Sequence, residues 1–280
     1  MPPVPAPPRP LTPADPNTRA PAMLLAAGRG ERMRPLTDSC PKPLLSVQGK
    51  PLMQWHLEAL LRGGTRQVVI NTAWLENRIV QAFGDDFGLE PLLDKGEKLS
   101  RSECMQLRYS LEGRDFGSAL ETAGGICRAL PQLFPEKGSP ASEVFWVLAA
   151  DVFTPGFEFA QEAVTRFATS GQLAHIWLVP NPAHNPRGDF GLDATTGQAL
   201  NLPKDDPQPR YTYSTIGLYH RDLFAPPWCT IPPGNPQGVK AALAPLLRAA
   251  MDAGRVSAEL YQGPWTDVGT PERLAQLNGP

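Results

Sequence analysis

The chain has 280 residues, 41% of them hydrophobic, and a formal net charge of −2, which is enough to bury a full core and too near neutral to suggest nucleic acid as a partner. No run approaches about 18 consecutive apolar residues, so a membrane-spanning helix is excluded. Cys40, Cys104, Cys127 and Cys229 form no C-x-x-C pair, which points to reduced thiols in a cytoplasmic protein and away from a zinc ribbon or disulfide framework.

Residues 1–20 are proline-rich with almost no large apolar side chain, and they read as a disordered tail without the apolar core of a signal peptide. One domain is expected over residues 21–280. Its first element, Met23 to Ala27, is a short apolar run suited to a buried parallel strand. A loop follows at the strand's carboxyl end, where open α/β sheets bind ligands. Gly28 and Gly30 let its backbone approach a ligand closely, Arg32 and Arg34 add cationic donors, and Pro35, Pro41 and Pro43 stiffen the chain around Lys42. The loop is neither a P-loop, since no Gly-Lys pair follows Gly28, nor a dinucleotide fingerprint, since Met33 stands where the third glycine belongs.

Pro51 opens a helix whose Leu52, Trp55, Ala59 and Leu60 share a face, ended by Gly63 and Gly64. His56, beside that face, reads as a structural histidine, because no acid, nucleophile or ligand pattern accompanies it. A strand at 67–71, a helix at 74–83, a strand at 106–109 and a helix at 120–130 continue the alternation of an α/β sheet. The charged segment 94–103 has no period and reads as a surface insertion.

Val144 to Asp151 is an apolar strand that delivers a carboxylate at its carboxyl end, and the run 265–270 carries Asp267. Each aspartate could hold a cation or merely cap the next helix. A strand at 173–179 leads into the loop 181–190, whose polar groups suit a hydroxyl-rich ligand.

The sequence G-R-G-E-R-M-R-P-L-T followed by P-K-P-L resembles the signature loop of the sugar-1-phosphate nucleotidyltransferases, and the similarity runs from about residue 20 to the C-terminus. The resemblance implies a three-layer, Rossmann-like nucleotidyltransferase fold with a mixed, mostly parallel central sheet. It implies a nucleotide-binding half over about 21–150 and a sugar-binding half over about 151–280. The reaction implied joins a nucleoside triphosphate to a sugar 1-phosphate with release of pyrophosphate, in a monomer or small homo-oligomer.

By the same resemblance, Arg32 holds the leaving phosphates and Lys42 contacts the α-phosphate. Ala26, Ala27, Gly28 and Gly30 wrap the nucleotide, and Glu121 and Gly124 sit against the base. Asp151 and Asp267 hold Mg²⁺, with Ala150 standing where the family usually has glycine. Asn181, Asp189, Ser214 and Lys204 are the implied sugar contacts, with Lys240 as the alternative to Lys204 for the lysine at the sugar phosphate. The loop 181–190, the motif 212–217 and an amphipathic helix around 243–247 are most similar to family members that use UTP and N-acetylmuramate 1-phosphate in bacterial cell-wall recycling, although Thr215 stands where those tend to have glycine. Guanylyl transfer to mannose 1-phosphate and thymidylyl or uridylyl transfer to glucose 1-phosphate are the alternatives. A non-catalytic sugar-nucleotide sensor is a third reading, set against the presence of Arg32, Lys42, Asp151 and Asp267. An appended acetyltransferase is not expected, because no hexapeptide repeat follows.

Overall fold

A computed structural model describes residues 19–88, 104–135 and 143–279. The expected tail, up to residue 18, and the insertion 94–103 lie outside the described residues. The chain order begins β1 (Ala22–Leu25), α1 (Leu36–Ser39), β2 (Ser46–Val47), β3 (Lys50–Pro51), α2 (Leu52–Arg62), β4 (Gln67–Thr72) and α3 (Glu76–Phe83). It continues with β5 (Asp86–Phe87), β6 (Met105–Leu111), α4 (Glu112–Phe116), α5 (Glu121–Leu133), β7 (Val144–Ala149), β8 (Val152–Phe153) and α6 (Gln161–Thr169). The remainder is β9 (Ala174–Val179), β10 (Phe190–Asp193), β11 (Gln198–Leu200), β12 (Arg210–His220), α7 (Ala244–Asp252), β13 (Val256–Leu260), β14 (Thr266–Asp267) and α8 (Pro271–Asn278).

One ten-stranded sheet has the order β10-β11-β13-β9-β12-β7-β1-β4-β6-β5. Side chains of β1 alternate between its two faces, as the strand period requires. Leu24 packs with Ile70, Leu148 and the α2 residues Met53 and Leu57, whereas Met23 packs with Val69, Val147 and the α5 residues Ile126 and Leu130. Helices therefore cover both faces, giving three layers. A smaller third core gathers Met33, Val47, Leu52, Phe153 and Val268 beneath the loop after β1. The chain is already packed ahead of β1: Ala20 is buried, and the Pro21 carbonyl accepts from the Trp146 N–H at 2.9 Å.

The sheet is mixed, as expected, but it is not mostly parallel. Six of its ten pairings are antiparallel, and the parallel ones are confined to β6-β4-β1-β7 and to β13-β9. The reason is visible in the connections: no helix separates β9, β10, β11 and β12, and strands joined without a long crossover must pair antiparallel. In the parallel part, β4 and β6 follow β1 on one side while β7 returns to its other side, so β1 marks a topological switch point. Ligand crevices in open α/β sheets open there, beyond the carboxyl ends of the strands. Among the described residues, no helix is long and apolar enough to cross a membrane.

Candidate active site

A cleft of about 610 Å³ opens at this switch point. Its walls come from the loop after β1 (Ala26, Gly28, Gly30, Arg32), from Lys42, from the end of β7 (Ala149, Asp151) and from β12 (Tyr213, Thr215). Register explains the last pair. Gly217 lies opposite Val147 in the antiparallel β12–β7 pairing, so the residues preceding Gly217 reach past the carboxyl end of β7.

The glycine loop is shaped by its own contacts. Gly30 has φ +70°, and a Cβ there would lie 3.0 Å from Thr37 Cγ2 and 3.4 Å from Lys42 Cβ, so glycine lets the loop fold onto both residues. Thr37 Oγ1 fastens the turn by donating to the Gly30 carbonyl at 2.8 Å. At Gly28 a Cβ would meet nothing within 4 Å. The fold does not need glycine at that position, and an open backbone facing a cleft suits a close ligand.

The loop arginines divide by partner. Arg29 pairs with Glu31 at 2.6 Å and Arg34 with Asp38 at 2.6 Å. Arg32 lines the cleft and has no ion-pair partner among the described residues. It is the guanidinium free to take an anion. Lys42, 6% exposed and flanked by Pro41 and Pro43, reaches Asp151 with Nζ–Oδ2 2.5 Å. A buried ammonium needs such a partner, because desolvation penalises an unpaired charge by several kcal/mol.

The strand β7 ends at Ala149, and Ala150 is buried with its N–H donating to the Leu25 carbonyl at 2.9 Å. Asp151 then turns its half-exposed carboxylate into the cleft, and the two-stranded β8–β14 ladder sets Asp267 opposite Val152. The Asp267 carboxylate pairs with Arg273 Nη1 at 2.8 Å, and His184 Nε2 lies 3.4 Å away. Asp151 lines the cleft and Asp267 does not, and each offers carboxylate oxygens, the donor type that a hard divalent cation takes. Behind them, His56 is buried and its Nε2 lies 2.7 Å from the Val152 carbonyl, where it acts structurally by tying α2 to the segment that carries Asp151. Burial lowers its pKa to about 4. A separate cluster of Glu143, His220 and Asp222 sits at the opposite end of β7. His220 Nδ1 there accepts from the Asp222 N–H at 3.2 Å, and Arg221 flanks Glu143 at 3.6 Å.

Other expected contacts are spent on the fold. Gly124 is buried against residues 239–241, where a Cβ would lie 2.4 Å from the Val239 carbonyl oxygen. The Ala123 and Gly124 N–H groups both donate to the Ala241 carbonyl, and Thr122 is the α5 residue on the cleft wall. Neither Ala27, which is buried, nor Glu121, with φ +59°, lines the cleft. Asn181 Nδ2 donates to the Arg210 carbonyl at 2.8 Å, the Asp189 carboxylate accepts from the Tyr213 N–H at 2.9 Å, and Ser214 Oγ accepts from the Ile216 N–H at 3.1 Å. These three build the loop-to-strand junction, and Lys204 is exposed outside the cleft.

Besides Asp151, the larger side chains that face the cleft from this half are Phe190, Tyr213, Thr215, Leu243 and Leu247, none of which the sequence singled out as contacts. Thr215 carried the one available signal, a residue other than the usual glycine. Its φ of +69° is the left-handed conformation that glycine adopts freely, at a register shift in β12, and its hydroxyl is buried without a partner.

Comparison with known proteins agrees with this architecture. A family model, nucleotidyl transferase, matches residues 21–279. The N-acetylmuramate alpha-1-phosphate uridylyltransferase of Neisseria meningitidis is 40% identical over 262 residues, covering 91% of this chain and 95% of the relative. The glucose-1-phosphate thymidylyltransferase of Streptomyces griseus is 26% identical over 273 residues, covering 92% of this chain and 64% of the relative. Among solved structures, a putative glucose-1-phosphate thymidylyltransferase from Bacillus anthracis in complex with a sucrose superposes with a TM-score of 0.67 at 18% identity, covering 92% and 94% of the two chains. With the fold, the cleft and a family match over nearly all of its length in agreement, the chain belongs to the nucleotidyl transferase family.

Proposed function

We propose that the protein transfers a uridylyl group from UTP to N-acetylmuramate 1-phosphate, releasing pyrophosphate, as a cytoplasmic step in the recycling of cell-wall sugars. The observation that carries the reaction type is the convergence of the unpaired Arg32 and the Lys42–Asp151 pair on one cleft at the sheet's switch point. The choice of base and sugar is supported by the 40% identity to the Neisseria uridylyltransferase over 91% of the chain.

A sugar 1-phosphate is ionised near neutral pH, so its oxygen attacks the α-phosphorus without a protein base. The bond from that phosphorus to the bridging oxygen breaks as pyrophosphate leaves, and no covalent enzyme intermediate forms. What lowers the barrier is alignment of two polyanions and neutralisation of the charge that develops. In this reading Lys42 meets the α-phosphate, held in place by its burial and its flanking prolines, and Arg32 meets the departing phosphates. Asp151 and Asp267 would hold Mg²⁺, which supplies positive charge to the phosphates. Phe190, Tyr213 and Thr215 form the wall against which the sugar rests.

The test is pyrophosphate release across four nucleoside triphosphates and a panel of sugar 1-phosphates. Release with UTP and N-acetylmuramate 1-phosphate is expected. Preference for glucose or mannose 1-phosphate would overturn the substrate, and no release with any pair would overturn the reaction.

A further inference from the structure

The carboxyl ends of β1, β4 and β6 lie side by side, and each contributes one member of a buried hydrogen-bond chain. The Ala26 N–H, at the start of the phosphate loop, donates to Asn71 Oδ1 at 2.9 Å. Asn71 Nδ2 donates to Glu112 Oε1 at 2.8 Å, and the Leu120 N–H, at the start of α5, donates to Glu112 Oε2 at 2.7 Å. Asn71 and Glu112 are 3% and 0% exposed, and no ion pair to Glu112 exists among the described residues. Gly125 is shaped to this chain, because a Cβ there would lie 2.7 Å from Glu112 Oε1 and 2.9 Å from Asn71 Nδ2.

We propose that Glu112 is a positioning residue of the nucleotide site, fixing the phosphate loop relative to the start of α5 through Asn71. The polarity of the chain dictates the residue. Both ends are backbone N–H donors, so once the Asn71 amide is placed between them, the remaining group must accept on both sides. A carboxylate does this; an amide of the same shape would set NH₂ against NH₂. Burial pushes the Glu112 carboxyl up, and its bonds to Leu120 and Asn71, with the nearby Arg128, work against that and favour the accepting form.

The inference rests on the nucleotide assignment above, and direct UTP binding separates the two. Isothermal titration of the full chain with UTP is compared with KM for the sugar 1-phosphate and with thermal unfolding. Glu112→Gln raises the UTP Kd about tenfold while KM for the sugar 1-phosphate stays within about twofold. Asn71→Asp combined with Glu112→Gln reverses the polarity. The carboxylate introduced at position 71 then accepts both from the Ala26 N–H and from the amide introduced at position 112, whose carbonyl oxygen accepts from the Leu120 N–H. That double variant returns the Kd to within about threefold of the parent. An unchanged Kd in Glu112→Gln, or a double variant no better than the single one, overturns the proposal. If Glu112→Gln does not fold, Gly125→Ala, which crowds the chain without deleting a bonding group, must weaken UTP binding about as much, and unaltered affinity there overturns it equally. A parent that binds no nucleoside triphosphate overturns the nucleotide assignment, and this proposal with it.

Discussion

The substitution His56→Gln should remove most of the acid sensitivity that this one side chain gives the fold. Burial holds the folded pKa at about 4, only partly opposed by the bond to the Val152 carbonyl and by the charge of Asp151, against 6.5 for an unperturbed histidine. The unfolded chain therefore takes up a proton between about pH 6.5 and pH 4 that the folded chain refuses. The stability linked to His56 is complete above pH 6.5 and is lost as the pH falls. Between pH 7 and pH 5 that loss is about 2 kcal/mol, at roughly 1.4 kcal/mol per pH unit below 6.5. The substituted amide does not titrate and can still donate to the Val152 carbonyl. Urea unfolding of both proteins at pH 7 and pH 5 measures the difference. His175 and His220, whose pKa values burial also lowers, titrate in both proteins and cancel. Equal pH dependence in the two proteins would refute the reasoning, because it would mean that His56 is not held neutral.

Lys42→Met should lower turnover about 10²- to 10³-fold, the usual effect of deleting one preorganised electrostatic group, measured as pyrophosphate release at saturating substrates. Its folded content should persist by circular dichroism, since the methionine retains an apolar stem against Gly30. Asp151→Asn should weaken Mn²⁺ binding read by electron paramagnetic resonance, and an unchanged titration would move the metal elsewhere. Gly30→Ala, at φ +70° with Thr37 Cγ2 3.0 Å from the new Cβ, should destabilise by about 1–3 kcal/mol in urea unfolding. Thr215→Gly should do the opposite by about 1 kcal/mol, because it relieves a left-handed threonine with an unpartnered hydroxyl.

The parts of the fold that were legible in the sequence are those where hydrophobic pattern and turn chemistry coincide. Met23 to Leu25, Val68 to Ile70 and Val144 to Ala149 are apolar runs closed by loop residues, and each is a buried strand of the parallel half. The course of the loop after β1 was legible because glycine, arginine and proline serve its geometry directly. The opposite wall of the cleft was not, because polar residues in a long connection bond first to their own backbone. Asn181, Asp189 and Ser214 spend their oxygens or amide on Arg210, Tyr213 and Ile216, and the wall is left to strand residues such as Tyr213 that look like core. Glu112 was missed for a related reason: a single glutamate between a strand and a helix carries no pattern, and its meaning lies in Asn71 and Leu120, 41 and 8 residues away.

The carboxylates at and beside the cleft are already paired with cations, and this bears on how a triphosphate would enter. Lys42 neutralises Asp151 and Arg273 neutralises Asp267, so each carboxylate carries a cation that stabilises it without ligand. A polyanion entering the cleft would meet Lys42 within its pair with Asp151, whereas Arg32, which has no ion-pair partner among the described residues, can meet it first. Either contact keeps its geometry only if the backbone beneath each charge is fixed. That is what His56 does under Val152, Thr37 under Gly30, and Asn71 with Glu112 under Ala26. All three fastenings belong to the parallel half and its loops. The antiparallel β12 contributes the wall with the strained Thr215. The loop carrying Arg32 and the segment carrying Asp151 thus follow strands in regular parallel pairing, whereas Tyr213 and Thr215 lie on the strand whose register shifts.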